Sequence, residues 1–171
     1  MSTIPELLAY GFGYSASGDQ GEVGLGVPRG SVTLEESQVL AWLVRGLDVL
    51  EIGTGTGLST RFMSTTAKTI FTVDPDPFVA ESVAPHLPSN VIFSRSLPES
   101  GKFDAVFVDG SHTKEACTSD LIFALKVVKF PGLIIVHDLH LPGPREACNN
   151  LIPKVQNLGT HLSLGVFLVT K

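Results

Sequence analysis

The sequence predicts an α/β fold, a doubly wound sheet of seven strands whose last two strands form an antiparallel hairpin. Three observations predict it. Apolar, strand-like runs alternate with segments of helical periodicity along most of the chain, the pattern of a parallel sheet with right-handed crossovers. The run Leu47-Asp48-Val49-Leu50-Glu51-Ile52 is followed by glycines at 53, 55 and 57, which reads as a buried strand opening through a tight turn into a helix. The final two strand-like segments have no helix between them, so they pair as a hairpin.

Each element has its own local reason. Residues 1–30 carry seven glycines and few large apolar side chains. They cannot build a core alone, so residues 1–32 are expected to form a Gly-rich N-terminal arm, either floppy or folded as a lid. Thr33-Leu34-Glu35-Glu36 is a capping box. Val39, Leu40, Leu43, Val44 and Leu47 follow with helical spacing and predict a helix over 34–45. After the first strand and its glycine turn, Leu58 and Phe62 mark one face of a helix over 58–65. Residues 69–73 read as a second strand ending in Asp74. Asp76-Pro77 is an N-cap followed by proline at the first helical position. The helix it opens carries Val79, Val83 and Leu87 and stops at Pro88.

Residues 91–93 read as a third strand and 103–108 as a fourth, ending in Asp109. A long helix starts at His112 or Thr113, with Cys117, Leu121, Ala124, Leu125 and Val128 as its stripe, and Pro131-Gly132 ends it. Residues 133–136 form a fully apolar fifth strand, followed by His137-Asp138. Pro144 opens a helix that Pro153 closes, and the tail offers strands at 155–158 and 166–170 with Gly159 and Gly165 in the link.

With 171 residues and 43% apolar side chains, the chain is expected to be a single globular domain over 1–171. Lys+Arg total 12 against Asp+Glu 17, a net charge of −5, which argues against a nucleic-acid partner or an anionic membrane surface. Cys117 and Cys148 lie far apart and form no metal-type pair. No apolar stretch reaches membrane-spanning length, so the cytoplasm is the expected location.

Ligands of open α/β sheets bind at the carboxyl ends of the strands. Glu51, Asp74, Asp109 and Asp138 all fall there, on strands roughly 4.8 Å apart. Four carboxylates on one rim need hydrogen-bond donors, a cation, or both. Each acid also has a structural alternative: Glu51 or Asp138 as a cap, Asp74 or Asp109 as a turn residue. The glycine spacing narrows the ligand. A dinucleotide fingerprint would place its third glycine at 58, which is Leu58, and no Gly-Lys-Ser/Thr tripeptide marks a P-loop.

The form E-x-G-x-G-x-G resembles the first motif of the class I S-adenosylmethionine-dependent methyltransferases. Phe103-Asp104-Ala105-Val106-Phe107-Val108-Asp109-Gly110-Ser111-His112, with Asp120-Leu121 and Pro131 through Asp138, resembles their small-molecule O-methyltransferase branch, related to the catechol and caffeoyl-coenzyme A enzymes, and especially its D-G-x-H subgroup. The resemblance runs from about 49 to 138. It implies a Rossmann-like sheet of order 3-2-1-4-5-7-6 and S-adenosylmethionine as cofactor. Gly53, Thr54, Gly55 and Gly57 would wrap the cofactor's amino-acid end, with Glu51 counted among the cofactor-binding residues. Asp74 would hold the ribose, and Ser96 and Leu97 would lie near the adenine. Asp109 would lie at the methionine and metal end.

The expected reaction is methyl transfer to a hydroxyl of a small-molecule acceptor, a displacement for which the protein positions two reactants and removes a proton. Catalysis is expected from His112 as base, where relatives often carry lysine, together with Asp109; His137 and His140 are alternative bases. Asp109 and Asp138 are candidate ligands for Mg²⁺. Metal-dependent members usually carry Asp-Asn after strand five, and here Leu139 replaces the third ligand. The rival is a metal-free site in which Asp138 orients His112 or His140. A different class of reading is a cofactor-binding or non-catalytic methyltransferase-fold module acting through a partner. A nicotinamide oxidoreductase is disfavoured by Leu58.

Overall fold

The structure, a computed structural model, describes residues 22–23, 27–28, 32–150 and 155–170. Glu22–Val23 and Val27–Pro28 pair as a two-residue antiparallel ribbon. The lid expectation for the rest of the arm, and the role given to Pro153, fall outside the described residues.

Helix α1 spans Leu34–Leu43 and opens on the expected capping box: the Glu36 N–H donates to Thr33 Oγ1 (3.2 Å), and the Thr33 N–H donates to Glu36 Oε2 (2.8 Å). Strand β1 (Asp48–Ile52) runs into the glycine turn and α2 (Leu58–Ser64). Strands β2 (Thr69–Val73), β3 (Val91–Ser94) and β4 (Phe103–Val108) follow. Helix α3 (Lys114–Val127) is capped by the Thr113 hydroxyl, which accepts from the Ala116 N–H. Then come β5 (Val128–Val136), α4 (Pro142–Asn149), β6 (Gln156–His161) and β7 (Leu164–Val169).

The strands lie in the order β3-β2-β1-β4-β5-β7-β6, as expected. The first five are mutually parallel, and β7 is antiparallel to both its neighbours. Side chains alternate between the two faces of each strand. Leu50, Ile52, Val106, Val108, Ile134 and Val136 pack with Cys117, Leu121 and Ala124 of α3 and with Ala147 and Cys148 of α4. Val49, Ala105, Phe107 and Ile135 pack on the other face against Leu40 of α1 and Leu58, Phe62 and Met63 of α2. Among the described residues no helix is long and apolar enough to cross a membrane.

Several boundaries differ from expectation. The helix expected around Val79, Val83 and Leu87 is a π-turn, Val79–Val83, followed by a 3₁₀ turn, Ala84–His86. Pro85 has no N–H and its ring clashes with the carbonyl one turn back, so a regular helical ladder cannot run through it. Asp76 accepts from the Phe78 N–H (2.9 Å) at its start. Strand β5 begins at Val128, not at 133, because Val128 is extended (φ −69°, ψ 142°) and pairs with Phe103. Val128 is β-branched and Phe130 aromatic, and both suit an extended chain better than a helix. Helix α4 begins at Pro142, two residues early. The tail strands are longer than expected, leaving only Leu162 and Ser163 to turn between them, with Leu162 at φ 55°.

Candidate active site

The glycine turn joins the ends of β1 and β4. A Cβ on Gly53 would lie 2.1 Å from the Asp109 carbonyl oxygen, so only glycine permits this approach at φ 100°. Gly55 stands open, and its N–H donates to Asp74 Oδ2 (2.9 Å), while Asp74 Oδ1 accepts from the Asp76 N–H (3.0 Å). A cavity of about 570 Å³ opens above the ends of β1 to β4, at the switch in strand order. Gly53, Gly55, Asp74, Ser96, Leu97, Asp109 and His112 line it, as does Asp120 from α3. A smaller cavity of about 70 Å³ lies beside the turn, bounded by Thr54, Thr56 and Ser59.

Two residues expected at the cofactor line neither cavity. Glu51 is completely buried and lines neither cavity. It shares the face of Val49 by strand alternation, and α2 covers that face. Its carboxyl group accepts from the hydroxyls of Ser59 (2.6 Å), Thr60 (2.5 Å) and Thr72 (2.6 Å). Thr54 Oγ1 lies 2.7 Å from Thr72 Oγ1 and extends this network up to the turn. Burial pushes the Glu51 pKa up to about 7, against the pull of the three hydroxyls. Gly57 is the second. A Cβ there would meet Val83 at 2.9 Å and Leu87 at 3.2 Å, so its bareness serves packing between α2 and the π-turn segment.

The other acids gather around His137. Asp109 and His137 share the sheet face of Phe107 and Ile135, which α1 covers. The buried His137 ring places Nδ1 3.0 Å from Asp109 Oδ1 and 3.3 Å from Asp138 Oδ2, with Nε2 3.4 Å from Glu36 Oε2. Glu36 therefore does more than cap α1. It also accepts from the Ser163 N–H (3.0 Å) and the Ser163 hydroxyl, tying α1 to the β6–β7 turn. Asp138 sits at φ 56°, a left-handed conformation that aspartate tolerates better than most residues. Its Oδ2 lies 2.9 Å from Nε2 of His112, which is half-exposed. His140 is largely exposed, with Nδ1 3.6 Å from Asp138 Oδ1.

These contacts set the protonation states. Burial opposes charge on His137, but the carboxylates of Asp109 and Asp138 outweigh it and raise its pKa to about 10. Burial likewise opposes charge on Asp138, yet His112 and His137 hold it below the usual carboxylate range. Glu36 is lowered to about 2 because its Ser163 and Thr33 hydrogen bonds overcome burial. Burial pushes Asp109 up, with His137 opposing. The hydrogen bond to Asp138 raises the pKa of His112.

Ligand atoms of Asp109, His137 and Asp138 lie within 4.8 Å of one another, a spacing that a metal could use. The donor set does not fit the Mg²⁺ expected from the two acids. A hard cation takes oxygen ligands, whereas the His137 Nδ1 stands between these carboxylates and would enter the set as a nitrogen donor. Leu139 adds no donor. The sequence reading missed Glu36 and the central place of His137. The alternation that puts residues 107, 109, 135 and 137 on the α1 side was the available signal.

Residues 50–139 match the family described as a methyltransferase domain. No curated protein matches the chain. Solved structures with a similar fold include the O-methyltransferase TomG of Streptomyces achromogenes, involved in tomaymycin synthesis and determined in complex with SAM. It is 20% identical, the match covers 85% of this chain and 84% of that one, and the TM-score is 0.68. An O-methyltransferase from Bacillus cereus, in complex with SAH, is 20% identical over 84% of each chain, with a TM-score of 0.69. The N-methyltransferase NodS of Bradyrhizobium japonicum is 14% identical over 80% of this chain and 94% of that one, with a TM-score of 0.65. At these identities the likeness is one of fold.

Proposed function

The chain belongs to the methyltransferase-domain family, and from that premise we propose that it transfers a methyl group from S-adenosylmethionine to a hydroxyl of a small acceptor. The observation that carries this reading is the large cavity with Asp74 and Asp109 on its wall beside the bare Gly55. The residues suit the cofactor's donors. Asp74, its carboxylate already steadied by two backbone N–H groups, is placed to accept from ribose hydroxyls. Asp109 offers negative charge toward the sulfonium and ammonium, and Gly53, Thr54 and Gly55 border the amino-acid end. Ser96 and Leu97 stand on the adenine side. When bound, the cofactor supplies a methyl group already activated on sulfur.

The chain's own residues then position the acceptor and take its proton. Asp109-Gly110-Ser111-His112 supports placing the chain in the small-molecule O-methyltransferase branch. His112 lines the cavity, and Asp138 engages its Nε2, which leaves Nδ1 to face the acceptor. Asp138 fixes the ring's tautomer and favours the protonated imidazole formed when His112 accepts the hydroxyl proton. His137 holds Asp109 and Asp138 in place. A cavity-facing His112–Asp138 pair favours catalysis over a module that only holds the cofactor.

Calorimetry of S-adenosylhomocysteine binding tests the reading. Wild type is expected to bind, and Asp74→Ala to lose about 1.5–3 kcal/mol with the charge-assisted hydrogen bonds to ribose. Unchanged affinity in the variant removes Asp74 from the site, and absence of binding by wild type removes the cofactor.

A further inference from the structure

We infer that Asp120 of α3 reads the purine of the bound cofactor, accepting a hydrogen bond from the exocyclic amine of adenine and discriminating against a 6-oxo purine. This rests on the S-adenosylmethionine reading above and deepens it by assigning a specificity residue.

Asp120 lines the large cavity and is half-buried. Among the described residues its carboxylate has no hydrogen bond or ion pair. Its neighbours one helical turn away, Ala116, Cys117, Phe123 and Ala124, carry no cation and no strong donor. It lies in the middle of Lys114–Val127, too far from the N-terminus to gain from the helix dipole. Aspartate is also a weak helix former. Burial pushes its pKa up, and no opposing contact contributes. The fold thus carries the desolvation cost of this group without an internal interaction that offsets it.

The carboxylate stands on the cavity wall beside the end of β4. A Cβ on Gly110 would lie 3.1 Å from Asp120 Oδ2. Bare Gly110, directly after Asp109, lets that oxygen pack close to the end of β4 on the wall of the cavity that both residues line. The donors of the cofactor can then be matched to the wall. Its ammonium belongs at the glycine turn and Asp109, and its ribose hydroxyls at Asp74. The remaining N–H donor is the exocyclic amine, and Asp120 is the cavity carboxylate left to accept from it. A 6-oxo purine would set oxygen against oxygen at this point, leaving a partly buried acceptor unpaired.

The test is calorimetric binding of S-adenosylhomocysteine and of S-inosylhomocysteine, its 6-oxo analogue, to the full chain and to Asp120→Asn. Wild type should prefer the adenine ligand about 10–150-fold, the range of one hydrogen bond to a charged group. The amide of the variant can donate to a 6-oxo group, so the preference should shrink to within about threefold or reverse. An equal preference in both proteins overturns the inference, and so does a parallel loss for both ligands, which marks Asp120 as structural. Wild type binding both ligands equally overturns this inference alone. Wild type binding neither ligand overturns the cofactor reading itself.

Discussion

The two edges of the sheet neutralise their acids in opposite ways. At the amino edge, Asp48 lies 3.0 Å from Lys68 Nζ and Asp104 lies 2.8 Å from Lys129 Nζ, with these lysines on the surface. At the carboxyl edge, Glu51, Glu36 and Asp138 are buried, and among the described residues the ion pairs of these buried acids are made by histidines, while the lysine pair there, Lys114 with Glu146, is exposed. Hydroxyls and backbone N–H groups hold the rest. A lysine supplies a permanent charge on a flexible stem, which suits a solvated surface. It would compete with a cationic ligand and exchanges no proton near neutrality. Imidazoles and hydroxyls neutralise buried acids while leaving Asp74 free for a ligand and His112 able to accept a proton. The amino edge is therefore organised for solubility and register, and the carboxyl edge, in the proposed function, for proton transfer.

That contrast breaks most readily at His137. His137→Gln leaves Asp109, Asp138 and Glu36 without their shared cation in a buried site. The expected loss is about 3–5 kcal/mol of unfolding free energy, read from denaturant titration. A loss no greater than that of Lys129→Ala would put the two edges on the same footing. Next is His112→Ala, which should lower methyl transfer by about 10²–10⁴-fold once an acceptor is supplied. In wild type, Asp138 raises the His112 pKa, so the rate should climb with pH about a midpoint above the ordinary histidine value of 6.5. A midpoint at or below that value would detach His112 from Asp138.

Glu36 sharpens the comparison in acid. Its pKa falls from the ordinary 4.5 to about 2 in the fold, so its contribution is present above about pH 4.5 and is lost as pH falls toward 2. The size is on the order of 3 kcal/mol. Urea midpoints measured from pH 6 down to pH 2 should show this fall in wild type and a shallower one in Glu36→Gln; parallel curves would contradict it. The smallest effect belongs to the amino edge. Lys129→Ala should leave the unfolding midpoint nearly unchanged, and added salt should erase what difference exists.

Much of this arrangement was readable along the chain because its causes are local. Thr33 and Glu36 sit three residues apart, the reach of a capping box. Apolar runs ending in acids mark strands that point their carboxyl ends at a ligand, and strict alternation of strand and helix sets a parallel sheet. The positions of Asp74 and Asp109 at the cavity follow from those signals. Glu51 shows where such reading stops. The pattern placed it at a strand end, but its fate depended on α2 covering its face with Ser59 and Thr60. His137 and Glu36 are 101 residues apart, and no periodicity or turn residue links them. Local sequence determined which elements form and which edge of the sheet binds. Tertiary structure alone decided which acids face the cavity and which share a proton, because charge pairing depends on the helix that happens to close over each face of the sheet.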